Sequence, residues 1–315
     1  MELYKGDHGC SAIYKSGLKK GQQCSNGGYY VQGGNVLCGV HSDKAIRVEL
    51  KVNPNKGKMK ADENKTREAA VIAACSANMK LKKAGDVICT KMSMRQAIEH
   101  QEGYQSVFPN RKHGNRADGI GYTTLSPMVM GPIKHGQPGL PPALNLENMW
   151  QNSRAWLSEL DADGKPGPEF YKTRLAMYLD PEPQRHKAVK KAVPTLKDGK
   201  PNGVAFFVWT RQDGTEVYMS YVQSRQVYCH FYELHAKQSK EFVELKTSIE
   251  KGVNVNIIGY DGFDFRKVKG NTLAEKFESC YLDPSRPFGH ELVLCALLLL
   301  KPDQYPWAKH RTEQF

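Results

Sequence analysis

The chain has 315 residues, long enough for one large domain plus a small module. Apolar and charged fractions of 40% and 25% are ordinary for a globular protein and exclude a disordered or fibrous class. The net charge of +12 is uneven, since residues 1–120 hold 20 Lys/Arg against 11 Asp/Glu. That asymmetry predicts a polyanion partner, such as nucleic acid, for residues 1–120, by release of counterions. No stretch reaches the length of a membrane span and no N-terminal apolar run suits a signal peptide, so no membrane contact and an intracellular setting (cytoplasm, nucleus or virion) are expected.

The first segment carries Cys10, Cys24, Cys38 and His41, with thirteen residues between successive cysteines. Turn formers fill the gaps, including Ser16-Gly17, Asn26-Gly27-Gly28 and Gly33-Gly34-Asn35. So little apolar material cannot build a core, and a metal staple is the usual substitute. Three thiolates and an imidazole are the Cys₃His set of structural zinc, with His8 as a spare ligand. The other cysteines, Cys75, Cys89, Cys229, Cys280 and Cys295, lie in mostly apolar contexts and read as buried thiols.

Ile46–Leu50 is strand-like and runs into the turn-rich, lysine-rich Asn53-Pro54-Asn55, read as a linker. Residues 66–83 form an alanine-rich helix. Residues 104–142 show no clean period, the pattern of a functional or disordered stretch. Leu146, Met149, Trp150, Trp156, Leu157 and Leu160 predict a helix over 145–160, with Asn145 as N-cap. A helix over 169–179 follows. Val204–Trp209 and Glu216–Tyr221 predict a hairpin about Asp213-Gly214, and residues 225–251 a helix. Val253–Gly259 predicts a strand, ending in Tyr260-Asp261-Gly262, and residues 289–300 a buried helix. The expected architecture is α+β: a zinc module (1–45), a basic linker and helical segment (46–103), and a mostly helical main domain with a hairpin (104–315).

Chemistry-bearing residues cluster in Glu147-Asn148-Met149-Trp150-Gln151-Asn152-Ser153-Arg154. On one helix, Glu147, Gln151 and Arg154 share a face, placing carboxylate, amide and guanidinium beside an apolar wall. Two basic clusters, Asn110–Arg116 and Arg185-His186-Lys187, are candidates for gripping phosphates, and His290-Glu291 for capping a helix or entering a pocket.

Two resemblances add to this reading. Cys10, Lys15-Ser16-Gly17, Cys24-Ser25-Asn26 and Cys38-Gly39-Val40-His41 resemble a small zinc module of large DNA virus proteins and some cellular proteins, often appended to nucleic-acid-associated chains. Leu125-Ser126-Pro127, Glu147, Trp150-Gln151, Arg154, Arg225, Tyr228, Phe242–Leu245, Asp261 and Phe288–Glu291 follow the order of motifs in the NADAR family of N-glycosidases, over about residues 122–300. The chain departs from that pattern at Arg154, where the family has lysine, and at Pro127, where it has asparagine. The resemblance implies hydrolysis of an N-glycosidic bond in a nucleotide-like or ADP-ribosyl substrate. It implies Glu147 and Asp261 as catalytic groups, and Trp150, Gln151, Arg154, Arg225 and His290 as substrate contacts. The alternative is a non-enzymatic, zinc-containing nucleic-acid-binding or virion-associated structural protein.

Overall fold

The computed structural model describes residues 9–14, 20–50, 56–92, 98–184, 192–260, 262–312 and 315. His8, Lys15-Ser16-Gly17, Asn53-Pro54-Asn55, Arg185-His186-Lys187 and Asp261 lie outside the described residues. The chain divides into two compact units, Met1–Thr66 and Arg67–Phe315.

The first unit is a three-stranded antiparallel sheet of β1 (Tyr30–Gln32), β2 (Asn35–Leu37) and β3 (Val48–Glu49), in the order β2-β1-β3. Gly33 and Gly34 both take positive φ, 56° and 79°, which a two-residue hairpin loop needs to match strand twist. Its buried centre holds Cys10, Cys24 and Cys38, with Ala12, Tyr14 and Leu37 packed against them among the described residues. The strand-like Ile46–Leu50 therefore belongs to this sheet rather than to a linker. The following helix, α1 (Lys56–Lys80), begins ten residues before the expected position and runs through the division between units.

The second unit is built on a four-stranded parallel sheet: β4 (Val87–Lys91), β5 (Gln105–Phe108), β6 (Ile120–Gly121) and β10 (Val255–Gly259), in the order β4-β10-β5-β6. Every residue of β10 is buried, as a central parallel strand requires. Two strands of this sheet, β5 and β6, come from the stretch that shows no period. They are ordered by pairing, β5 with β10 and β6 with β5. Residues 87–91 also pair here, so the parallel sheet draws on both sides of the expected 103/104 boundary.

The predicted hairpin forms between β8 (Val204–Thr210) and β9 (Glu216–Met219), with β7 (Arg154–Trp156) added on the other edge of β8. Ser220 ends β9 early because it caps the next helix, exchanging hydrogen bonds with Gln223. That helix, α4 (Tyr221–Ala236), is separate from α5 (Lys240–Glu250), whose N-cap Ser239 accepts from Phe242 N. One long helix was expected; two caps make it two. Before them lie α2 (Leu146–Asn152) and α3 (Pro168–Tyr178), and after β10 come α6 (Leu273–Leu282), α7 (His290–Leu299) and α8 (Pro306–Lys309). Helix covers 38% and strand 17% of the described residues, an α+β balance rather than a mostly helical one. α7 is buried from Glu291 to Leu297 in the main core, beside Cys89, Ile257, Tyr228 and Tyr232. Among the described residues, no helix is long and apolar enough to cross a membrane.

Candidate functional site

Cys10, Cys24, Cys38 and His41 converge in the first unit, with their ligand atoms all within 4.8 Å of one another. His41 Nδ1 lies 3.5 Å from Cys10 Sγ and 3.4 Å from Cys38 Sγ. A tetrahedron with metal–sulfur bonds of about 2.3 Å and metal–nitrogen bonds of about 2.0 Å has S···N edges of roughly 3.5 Å. The observed separations fit that size, so the four residues are compatible with a metal site. The backbone assists thiolates here. Cys38 N donates to Cys10 Sγ at 3.3 Å and Asn26 N to Cys24 Sγ at 3.5 Å, while the Asn26 amide donates to Cys38 Sγ at 3.7 Å. Burial pushes the Cys38 thiol up, but backbone N–H groups of His41 and Val40 and the Asn26 amide outweigh it and bring it down to about 6.

In the second unit, Asn145 caps α2 by accepting from Asn148 N at 2.8 Å, which starts the helix one residue before Glu147. Glu147 thus sits in the first turn, only 8% exposed, with Gln151 Nε2 donating to its Oε1 at 2.9 Å. The helix ends at Asn152, and Arg154 opens β7 opposite Phe207. The expected shared helix face for Glu147, Gln151 and Arg154 is therefore corrected: a helix turn and a strand supply them. They nonetheless meet. The Arg154 guanidinium lies 5.9 Å from the Trp150 ring centroid. Burial pulls its pKa down, against attraction from Tyr221 and Glu147. Its Nε is buried and hydrogen-bonded to nothing.

Aromatic rings wall this site. Trp150 has centroids of Phe207 at 5.1 Å, Tyr228 at 5.2 Å and Tyr221 at 6.5 Å. The Tyr228 phenol is driven well above its ordinary pKa by burial first, then by the negative fields of Glu147, Tyr232 and Glu291. Two carboxylates from different helices thus act electrostatically on Tyr228. Glu291, in the first turn of α7, is 7% exposed, with Oε2 3.3 Å from His290 Nδ1. The other ring nitrogen, His290 Nε2, donates to the Pro109 carbonyl at 2.8 Å. His290 thus orients Glu291 and joins α7 to the end of β5; the structure gives it a positioning role where a substrate contact was expected.

Arg225 is the clearest correction. Its guanidinium donates to the carbonyls of Cys280, Tyr281, Asp283 and Arg286, the last two at 2.9 and 2.7 Å. It is 2% exposed and ties α4 to the last turn of α6 and the chain that follows, rather than facing a ligand. Arg225→Met would leave those carbonyls buried without donors, and we expect a loss of about 3–5 kcal/mol in urea unfolding. An undiminished midpoint alongside impaired catalysis would return Arg225 to the substrate.

Asp261 lies outside the described residues. Its neighbour Gly259 ends β10 against Glu291: a Cβ there would fall 2.6 Å from Glu291 Cγ. Since the obstacle is a side chain able to rotate, Gly259→Ala should fold with a loss of about 1–2 kcal/mol while displacing the carboxylate. The check is a thermal melt beside a turnover assay. The Asn110–Arg116 cluster is internally engaged: Arg111 pairs with Glu182, Arg116 with Asp118, and His113 Nε2 with the Tyr260 hydroxyl at 2.6 Å. Tyr221 carries no signal in the sequence, whereas Glu291, expected with His290 to cap a helix or enter a pocket, does. The signal for Glu291 was Phe288-Gly289-His290-Glu291, an acidic group opening an otherwise apolar helix.

The fold and site define an α+β protein with a Cys₃His cluster in one unit and a buried carboxylate–arginine–aromatic site in the other. Compared with known proteins, the chain matches no family model, no curated protein and no solved structure.

Proposed function

We propose that the second unit hydrolyses an N-glycosidic bond in a nucleotide-like or ADP-ribosyl substrate, and that the first unit binds zinc and recruits the protein to nucleic acid or another polyanion. The observation that carries the hydrolase reading is the convergence of Glu147, Arg154 and Trp150 with Tyr228 and, behind it, Glu291. Cleavage at an anomeric carbon builds positive charge on the sugar, so it calls for a carboxylate beside it. Glu147 takes that role and activates water. The water oxygen bonds to the anomeric carbon as the carbon–nitrogen bond breaks, and the proton passes to the leaving nitrogen. Arg154 holds a phosphate bidentately, for which a buried guanidinium with a spare N–H is suited. As an arginine it forms no Schiff base, so the reaction proceeds by direct displacement with water.

Zinc is supported by the donor set: soft thiolates with one imidazole in a closed, tetrahedral-sized cluster. None of the eight cysteines is in a disulfide, which agrees with an intracellular setting. The test is release of free base or amine from ADP-ribosylated nucleic acid or a ribosylamine, with Glu147→Gln as the control. Equal release by both proteins would remove Glu147 from its role.

A further inference from the structure

A cleft of about 410 Å³ opens at the carboxyl ends of β4 and β10, lined by Lys91, Met92, Phe263, Asp264, Lys267, Val268 and Arg286. Its size falls in the range of small-ligand sites, and the crevice beyond the carboxyl ends of parallel strands is where α/β sheets place ligands. The charge is lopsided: three cations face one carboxylate. That carboxylate, Asp264, is already bound to Arg266 at 3.0 Å and Lys267 at 3.5 Å. Burial pushes Asp264 up, but Arg266 and Lys267 outweigh it and hold it below its ordinary value. Lys91 and Arg286, by contrast, enter no ion pair among the described residues. Arg286 is not loose, because its carbonyl accepts from Arg225 Nη2 at 2.7 Å, which fixes the backbone that carries the guanidinium.

The cleft also adjoins the proposed catalytic site. Lys91 and Phe263 line a second, smaller cavity with Gly259, Gly262 and Glu291. Glu291 in turn acts on Tyr228, whose ring packs on Trp150. Glu291 stands at the start of α7, which packs on α4, the helix that carries Tyr228. The walls combine two unpaired cations with an aromatic face, the combination that recognises a phosphorylated nucleoside: phosphates on the cations, base against the ring.

We infer that this cleft binds the phosphorylated nucleoside portion of the substrate, with Lys91 and Arg286 on its phosphates and Phe263 against its base. The assignment rests on the hydrolase reading for the identity of the bond cleaved, but not for the binding itself. The experiment is equilibrium titration of the full chain with ADP, and with adenosine and inorganic pyrophosphate separately. Lys91→Gln combined with Arg286→Gln should weaken ADP and pyrophosphate by about a hundredfold, the scale of two lost charge-assisted contacts, and leave adenosine unchanged. Phe263→Ala should weaken ADP and adenosine but not pyrophosphate. Both cations are exposed, so the double variant should melt with the wild type. ADP affinity unchanged by the double variant, or no ADP binding by the wild type, overturns the inference. If Glu147→Gln abolishes hydrolysis while the double variant binds ADP normally, the subsite falls and the hydrolase reading stands. If no substrate is cleaved yet ADP binding depends on Lys91 and Arg286, the reverse holds.

Discussion

Stripping the metal from the purified protein should unfold the first unit and leave the second intact. The first unit buries three cysteines and little else, so its folded state rests on whatever joins Cys10, Cys24, Cys38 and His41. Structural zinc in such sets contributes about 10–16 kcal/mol of apparent binding energy, more than a segment of this size gains from apolar burial. The hairpin of β1 and β2 alone is marginal in water. The second unit has an extensive core of its own, centred on β10 and α7. With a strong chelator, hydrogen exchange should therefore rise across residues 20–50 and remain slow in β10 and α7. Elemental analysis should find one equivalent of zinc in the untreated protein, and less in Cys24→Ser. Protection of residues 20–50 that is indifferent to chelator would refute the metal staple.

The second large effect is expected at Glu147. Replacing it with glutamine keeps the shape and the acceptor for Gln151 Nε2, so the fold should survive with a change of less than about 1 kcal/mol. In the proposed reaction it would remove the charge beside the anomeric carbon and the base for water, and contributions of that kind are worth about 10²–10⁴ in rate. The loss should appear in kcat, with KM nearly unchanged, because the phosphate contact of Arg154 remains. Arg154→Gln should do the opposite in part, raising KM as the phosphate loses its bidentate partner. A Glu147→Gln variant that retains turnover would direct attention to Glu291, the second carboxylate acting on Tyr228.

Local composition was enough for the Cys₃His cluster. Cysteine spacing, turn glycines and the lack of apolar residues are all short-range facts, and in a unit with almost no core no tertiary packing overrides them. The hairpin of β8 and β9, the strand β10 and the helix α7 were legible for a similar reason: each is long enough for its own period or apolar run to show. Glu147, Trp150 and Gln151 were legible as a group because α2 places them within one and a half turns.

Tertiary structure settled the remainder. β4 and β5 exist as strands because β10 offers each a hydrogen-bonding edge, and the two-residue β6 because β5 offers it one. Arg154 reaches Trp150 from a strand, since Ser153 ends α2 and β8 captures the next three residues. Arg225 has the chemistry of a ligand contact, but four carbonyls, two in the last turn of α6 and two just beyond it, claim it, and no sequence interval announces that they lie nearby. Glu291 joins the site only because the end of β10 brings Gly259 against it, 32 residues away in sequence. Periodicity reports which face of an element is buried; which buried faces meet is decided by the pairing of distant segments, and the second site is made of such meetings.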